Sequence, residues 1–93
     1  MPFILDSSNF KRAYDKNRNI TVELDYTDSD NKRIIYNNGN IQESLIIVDN
    51  RNQSCEIYLH SCINEEIIDS LQEALLILGF QQDKIIFLHN EYS

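Results

Sequence analysis

Glu23, Asp25, Asp28 and Asp30 crowd four carboxylates into one short stretch of the chain. Carboxylates so close together hold a divalent cation, share a proton, or present negative charge to a cationic surface. A calcium loop of the EF-hand type needs a glycine at position 6 and a bidentate glutamate at position 12. Counted from Asp28, those positions are Arg33 and Gly39; counted from Asp25, they are Asp30 and Tyr36. Calcium is therefore not expected. The segment Thr27-Asp28-Ser29-Asp30-Asn31 has the composition of a solvated turn. Two readings stay open for it, a plain turn and a carboxylate patch that faces a partner.

Other chemistry has less to work with. His60, Cys62, His89 and Cys55 are the only histidines and cysteines. His60 and Cys62 are separated by one residue, whereas paired zinc ligands are usually separated by two to four. No metal is expected, and Cys55, placed inward on a strand, reads as a small hydrophobe. Gly39 and Gly79 are the only glycines and suit a turn and a helix end, so no glycine-rich phosphate loop exists. Nothing forces a nucleophile against a base. The chain reads as a non-enzyme with no cofactor.

The elements that position these residues are read from periodicity. Residues 3–5 suggest a short first strand. Ser7 or Ser8 suits the cap of a short helix reaching about Lys16, with Phe10, Ala13 and Tyr14 on one face. Residues 20–26 alternate, with Ile20, Val22, Leu24 and Tyr26 inward and Thr21, Glu23 and Asp25 outward. Residues 32–36 return from the acidic turn, and Asn38-Gly39 is a hairpin signal of the two-residue type. Residues 44–49 are apolar on both faces and predict a central strand covered on each side. Residues 54–60 alternate again, with Glu56 and Tyr58 outward. Tyrosine brings a large area and a polar tip to interfaces, so Glu56 and Tyr58 join Glu23, Asp25, Asp28 and Asp30 as expected partner-binding residues.

A helix over residues 65–78 is the best specified element. Asn64 is its N-cap, Glu65 and Glu66 complement its dipole, and Ile63 and Ile68 form a hydrophobic staple. Ile67, Ile68, Leu71, Ala74, Leu75 and Leu78 form its apolar stripe, widened by Leu76 and Ile77. Gly79 closes it in a left-handed cap, with Phe80 packing back. Residues 84–88 form a last strand, apolar on both faces. The expected fold is α+β: one domain over residues 1–93, an antiparallel sheet of about five strands, one long helix packed on a face, and a short N-terminal helix.

Composition narrows the function classes. Fifteen Asp and Glu against eight Lys and Arg give a charge of −7 on 93 residues. That charge repels phosphate, so direct nucleic-acid binding is disfavoured, and it favours basic protein partners. The cluster Lys11, Arg12, Lys16 and Arg18 is interleaved with Asp15 and reads as a solvated surface. No apolar run approaches a membrane span. No basic segment followed by a long apolar run begins the sequence, and two cysteines make no disulfide scaffold, so a cytoplasmic location is expected.

Thr21-Val22-Glu23-Leu24 followed by Thr27-Asp28-Ser29-Asp30 resembles a strand-and-turn stretch of the small acidic phage anti-CRISPR proteins that block Cas9. The likeness covers about a dozen residues, and size, acidity and α+β order agree with it. It implies that Glu23, Asp25, Asp28 and Asp30 face the partner. Toxin-neutralising immunity proteins fit the same size and charge. The expected function is an acidic inhibitor whose carboxylates occupy the basic, nucleic-acid-binding surface of a nuclease or related enzyme. The alternative is a non-catalytic structural or regulatory subunit, a homodimer through the apolar face of helix 65–78.

Overall fold

Among residues 3–60 and 63–89, which the computed structural model describes, seven strands form one sheet in chain order. They are β1 (Ile4–Leu5), β2 (Arg12–Asp15), β3 (Ile20–Asp25), β4 (Arg33–Asn37), β5 (Gln42–Asp49), β6 (Cys55–Leu59) and β7 (Ile85–His89). Helix α1 (Glu65–Ile77) and a short 3-10 turn (Gln82–Lys84) lie between the last two. Neighbours from β1 to β6 are antiparallel hairpins, and β7 adds parallel to β6. Only the last connection needs a crossover, and α1 supplies it.

This is a mixed, seven-stranded sheet with one helix, and it overturns the expected five-stranded antiparallel sheet with two helices. The error begins at residues 7–16. Ala13 and Tyr14 belong to β2, where Arg12 pairs with Glu23 and Asp15 with Ile20. The preceding residues form a turn instead of a helix. Asp6 Oδ1 accepts from the Ser8 amide at 2.9 Å and the Ser8 hydroxyl at 2.7 Å, and Asn9 Oδ1 accepts from the Lys11 amide at 3.1 Å. Short polar side chains thus offer the backbone a local alternative to the helix, and so short a helix does not repay its nucleation. Phe10, assigned to the helix's apolar face, is 71% exposed.

Helix α1 forms as its sequence requires. Asn64 Oδ1 accepts from the Ile67 amide at 2.9 Å. Gly79 has φ +109°, and the Phe80 amide donates to the Leu75 carbonyl at 3.0 Å, closing the last turn. Ile67, Leu71, Ala74 and Leu75 are buried against the sheet, with Ile63, Ile68, Ile77, Leu78 and Phe80 packed around them. They share one core with Ile20, Val22, Leu24, Ile34, Tyr36, Leu45, Ile47, Cys55, Ile57 and Leu59, the inward-facing residues of β3 to β6. Beyond Ile67, the widened apolar stripe of α1 is therefore largely spent inside the protein.

Two further expectations change. The β4–β5 hairpin forms where Asn-Gly predicts it, and the Asn38 amide donates to the Ile41 carbonyl at 3.1 Å across Gly39 and Asn40. Only Gly39 there has positive φ, at +92°, so the turn is not the type I′ form with positive φ at both central residues. Strand β5 is covered on one face only: Leu45 and Ile47 are buried, while Ile46 is 45% and Val48 38% exposed.

Candidate functional site

With α1 on one face, the other face of the sheet is open, and cross-strand pairing arranges its side chains in rows. One row runs Asp25, Arg33, Ile46, Tyr58, Leu88. The next holds Val48, Glu56 and Ile86. On the other side runs Arg12, Glu23, Ile35, Ser44. The face is thus divided. Strands β5 to β7 present Ile46, Val48, Ile86 and Leu88 around Tyr58, while β2 to β4 present charges of both signs. Ile86 is 47% exposed, comparable to Ile46. Ile46 and Val48 of β5 and Ile86 and Leu88 of β7 thus flank Tyr58 and Glu56 of β6 on this face.

Four of the six expected partner-binding residues lie on this face. Glu56 stands between Val48 and Ile86, and Tyr58 between Ile46 and Leu88. Glu23 and Asp25 lie at the charged end. Asp28 and Asp30 sit in the exposed loop beyond Asp25 and do not join the sheet. The structure therefore does not gather all six into one patch.

Three of the four clustered carboxylates, those of Glu23, Asp25 and Asp28, are held locally. Glu23 Oε2 accepts from Asn9 Nδ2 at 3.2 Å and lies 3.8 Å from the Arg12 guanidinium. Asp25 Oδ1 accepts from the Thr27 hydroxyl at 2.7 Å and the Thr27 amide at 3.2 Å. The hydroxyl bond first, and the amide after it, hold the Asp25 pKa below the usual carboxylate range. Asp28 accepts from Asn31 Nδ2 and the Asp30 amide, both at 3.0 Å, which lowers its pKa likewise. These bonds fasten the turn.

Cations also surround the cluster. Lys11 and Lys32 stack on the Tyr26 ring at 5.1 and 4.9 Å from its centre. Arg33 is the cross-strand partner of Asp25, although it donates to the Ser44 carbonyl at 2.7 Å. Lys11, Arg12, Lys32 and Arg33 offset part of the charge of Glu23, Asp25, Asp28 and Asp30, while Asp6, which shares Arg12, and Asp49, beside Tyr26, add to it. A depression of about 430 Å³ lies here, lined by residues that include Lys11, Glu23, Asp25, Tyr26 and Ile35. Burial, and then the nearby Asp49 carboxylate, push the Tyr26 pKa upward, so its hydroxyl stays protonated.

Helix α1 adds a second group of carboxylates, Glu65, Glu66, Asp69 and Glu73, with no cation of its own. Only Glu73 has an ion pair among these described residues, with Arg18. Sequence reasoning used these carboxylates for helix capping and solvation and did not see the tie of Glu73 to Arg18. It also missed Ile46, Val48, Ile86 and Leu88 as surface residues. Their signal is the apolar character of both faces in residues 44–49 and 84–88, a pattern that for 44–49 predicts cover on each side.

The described histidines and cysteine lie apart on the sheet. Cys55 is buried in the core, His60 Nε2 lies 2.8 Å from Glu43 Oε2, and His89 pairs with Leu59 at the end of β7. Cys62 lies outside the described residues. Among the described residues no three His, Cys, Asp or Glu side chains converge on a common point. No helix among them is long and apolar enough to cross a membrane. No protein-family model, no curated protein and no solved structure matches this chain.

Proposed function

We propose that the protein is a non-catalytic inhibitor of the anti-defence or immunity type. It docks the open face of its sheet on a basic protein and blocks a nucleic-acid-binding surface there. The observation that carries this reading is the apolar end of that face. Ile46, Val48 and Ile86 are held in water around Tyr58, at 45, 38 and 47% exposure, although the core had room to take no more than one side of β5. An apolar centre with charged groups at its margin is the anatomy of a protein–protein contact. Glu56, Asp25 and Glu23 supply that margin. The carboxylates of α1 add long-range attraction that speeds encounter with a basic target and makes it sensitive to salt.

The test is affinity capture from host lysate with the native protein and with Ile46→Lys, each at low and high salt, followed by reconstitution with the purified target. The expected result is one basic nucleic-acid enzyme, captured by the native protein, lost from Ile46→Lys, and unable to bind its nucleic acid once complexed. A target captured equally by Ile46→Lys would remove the open face from the mechanism. A target that still binds nucleic acid in the complex would end the inhibitor reading.

A further inference from the structure

We propose that the protein forms a two-fold homodimer by antiparallel pairing of β7 with β7 of a second copy, which joins the two sheets edge to edge.

The two edges of the sheet differ. Strand β1 has two residues and ends in the hydrogen-bonded turn at Asp6, so it offers little backbone to a newcomer. Strand β7 has five residues, Ile85–His89, with β6 on one side and no strand on the other among the described residues. Its outward amides and carbonyls form a template for another strand. Proteins commonly blunt such an edge with a proline, a bulge or a charge. Strand β7 has none of these: its sequence is Ile-Ile-Phe-Leu-His.

Charge favours this edge for self-association. Two copies each carrying −7 repel one another over most of their surface. Strand β7 contains no carboxylate.

The register follows from parity. A two-fold axis perpendicular to the sheet keeps both helices on one side, so residues that face each other must share a face. The axis then passes through a residue, and only Phe87 lets all five positions of β7 pair. Phe87 faces Phe87 of the second copy on the helix side. On the open side Ile86 faces Leu88 and Leu88 faces Ile86. The aliphatic end of the open face, which stops at β7 in one copy, then continues into the second. That continuity is the reason to expect a second copy at this edge.

The experiment is sedimentation equilibrium of the native chain, together with oxidation of a Phe87→Cys variant made in a Cys62→Ser background. Cys55 is buried and leaves the assay undisturbed. Opposed residues of an antiparallel pair have Cα atoms about 4.5–5.5 Å apart, within reach of a disulfide. The expected result is twice the mass of the 10.9 kDa chain and a covalent dimer from Phe87→Cys but not from a control Val48→Cys. A native chain that stays monomeric throughout the concentration range overturns the proposal. So does a dimer that Val48→Cys cross-links and Phe87→Cys does not, because it would place the second copy on the open face.

Discussion

The Arg18 guanidinium donates to Glu73 Oε2 at 2.8 Å and ties the β2–β3 turn to the helix across 55 positions of sequence. The same guanidinium bonds to Asp15, which is 1% exposed, and lies over the Phe3 ring at 5.4 Å from its centre. Arg18 is therefore a fastener between sheet and helix, not part of a merely solvated basic surface.

Asp15 makes that fastener sensitive to acid. Its carboxylate accepts from the Arg18 side chain and from the amides of Asn17 and Arg18. The side-chain bond to Arg18 first, against the opposing effect of burial, holds its pKa below the ordinary value of 3.8. The native state therefore prefers the ionised form. Its stabilisation is complete above the unfolded-state value, about 3.9, and is lost as pH falls through the lower native value. Asp15→Asn should melt at a lower temperature than the native protein at pH 7. The gap should shrink as pH falls below about 4. Thermal melts across that range check it, and a gap independent of pH would assign Asp15 no ionic role.

Cys55 should be inert while the protein is folded. It is fully buried, and burial, with a smaller contribution from Asp49, pushes its pKa up to about 11. The thiolate is the reactive form. In a Cys62→Ser background, a thiol reagent at pH 8 should label Cys55 only as fast as the protein opens, and at once in denaturant. Rapid labelling of the native state would mean that β6 is not packed as described.

Leu71 lies at the centre of the buried side of α1, with no exposure. Leu71→Ala should cost about 2–5 kcal/mol. Urea unfolding measures it, and a cost near zero would detach the helix from the sheet.

The two glycines should differ when substituted. Both have positive φ, +92° at Gly39 and +109° at Gly79. A Cβ at Gly79 meets nothing within 4 Å, so Gly79→Ala should cost only the left-handed conformation, about 1 kcal/mol. A Cβ at Gly39 comes within 2.6 Å of Asn19 Nδ2. Gly39→Ala should cost slightly more, because the exposed Asn19 side chain must turn aside, and that excess should vanish in an Asn19→Ala background. A double-mutant cycle tests the coupling.

Ile46 and Ile47 are adjacent on β5 and should respond oppositely. Ile46 is 45% and Ile47 2% exposed. Ile46→Lys should change stability by less than about 0.5 kcal/mol. Ile47→Lys buries an unpaired ammonium and should unfold the domain. Similar losses at both positions would mean that the open face is covered within the protein.

Much of this was legible in local sequence. Asn64, the spacing of Ile67, Leu71, Ala74 and Leu75, and Gly79 specify α1 by capping and a 3.6 period. Alternation specifies β3 and β6. Residues 7–16 misled because Ala13 and Tyr14 satisfy a helical spacing, and what decides against it lies in β3. The polar bonds of Asp6 and Asn9 only assist. The role of Arg18 was invisible for a related reason, since its second partner belongs to the helix. The division of the open face was hidden because Ile46 and Ile86 look the same in sequence whether a layer covers them or water does.

The order of the sheet also has a kinetic consequence. From β1 to β6 each strand pairs with the one just before it, as Asp49 does with Cys55. Loops this short cost little entropy to close, so these hairpins can be laid down in sequence as the chain is synthesised. Cys55 and Ile85 are 30 positions apart, and their pairing waits for α1 to carry the chain back across the sheet. Strand β7, the edge assigned to self-association, is thus the last to be placed, and a nascent chain cannot offer it to a neighbour before the rest of the sheet exists.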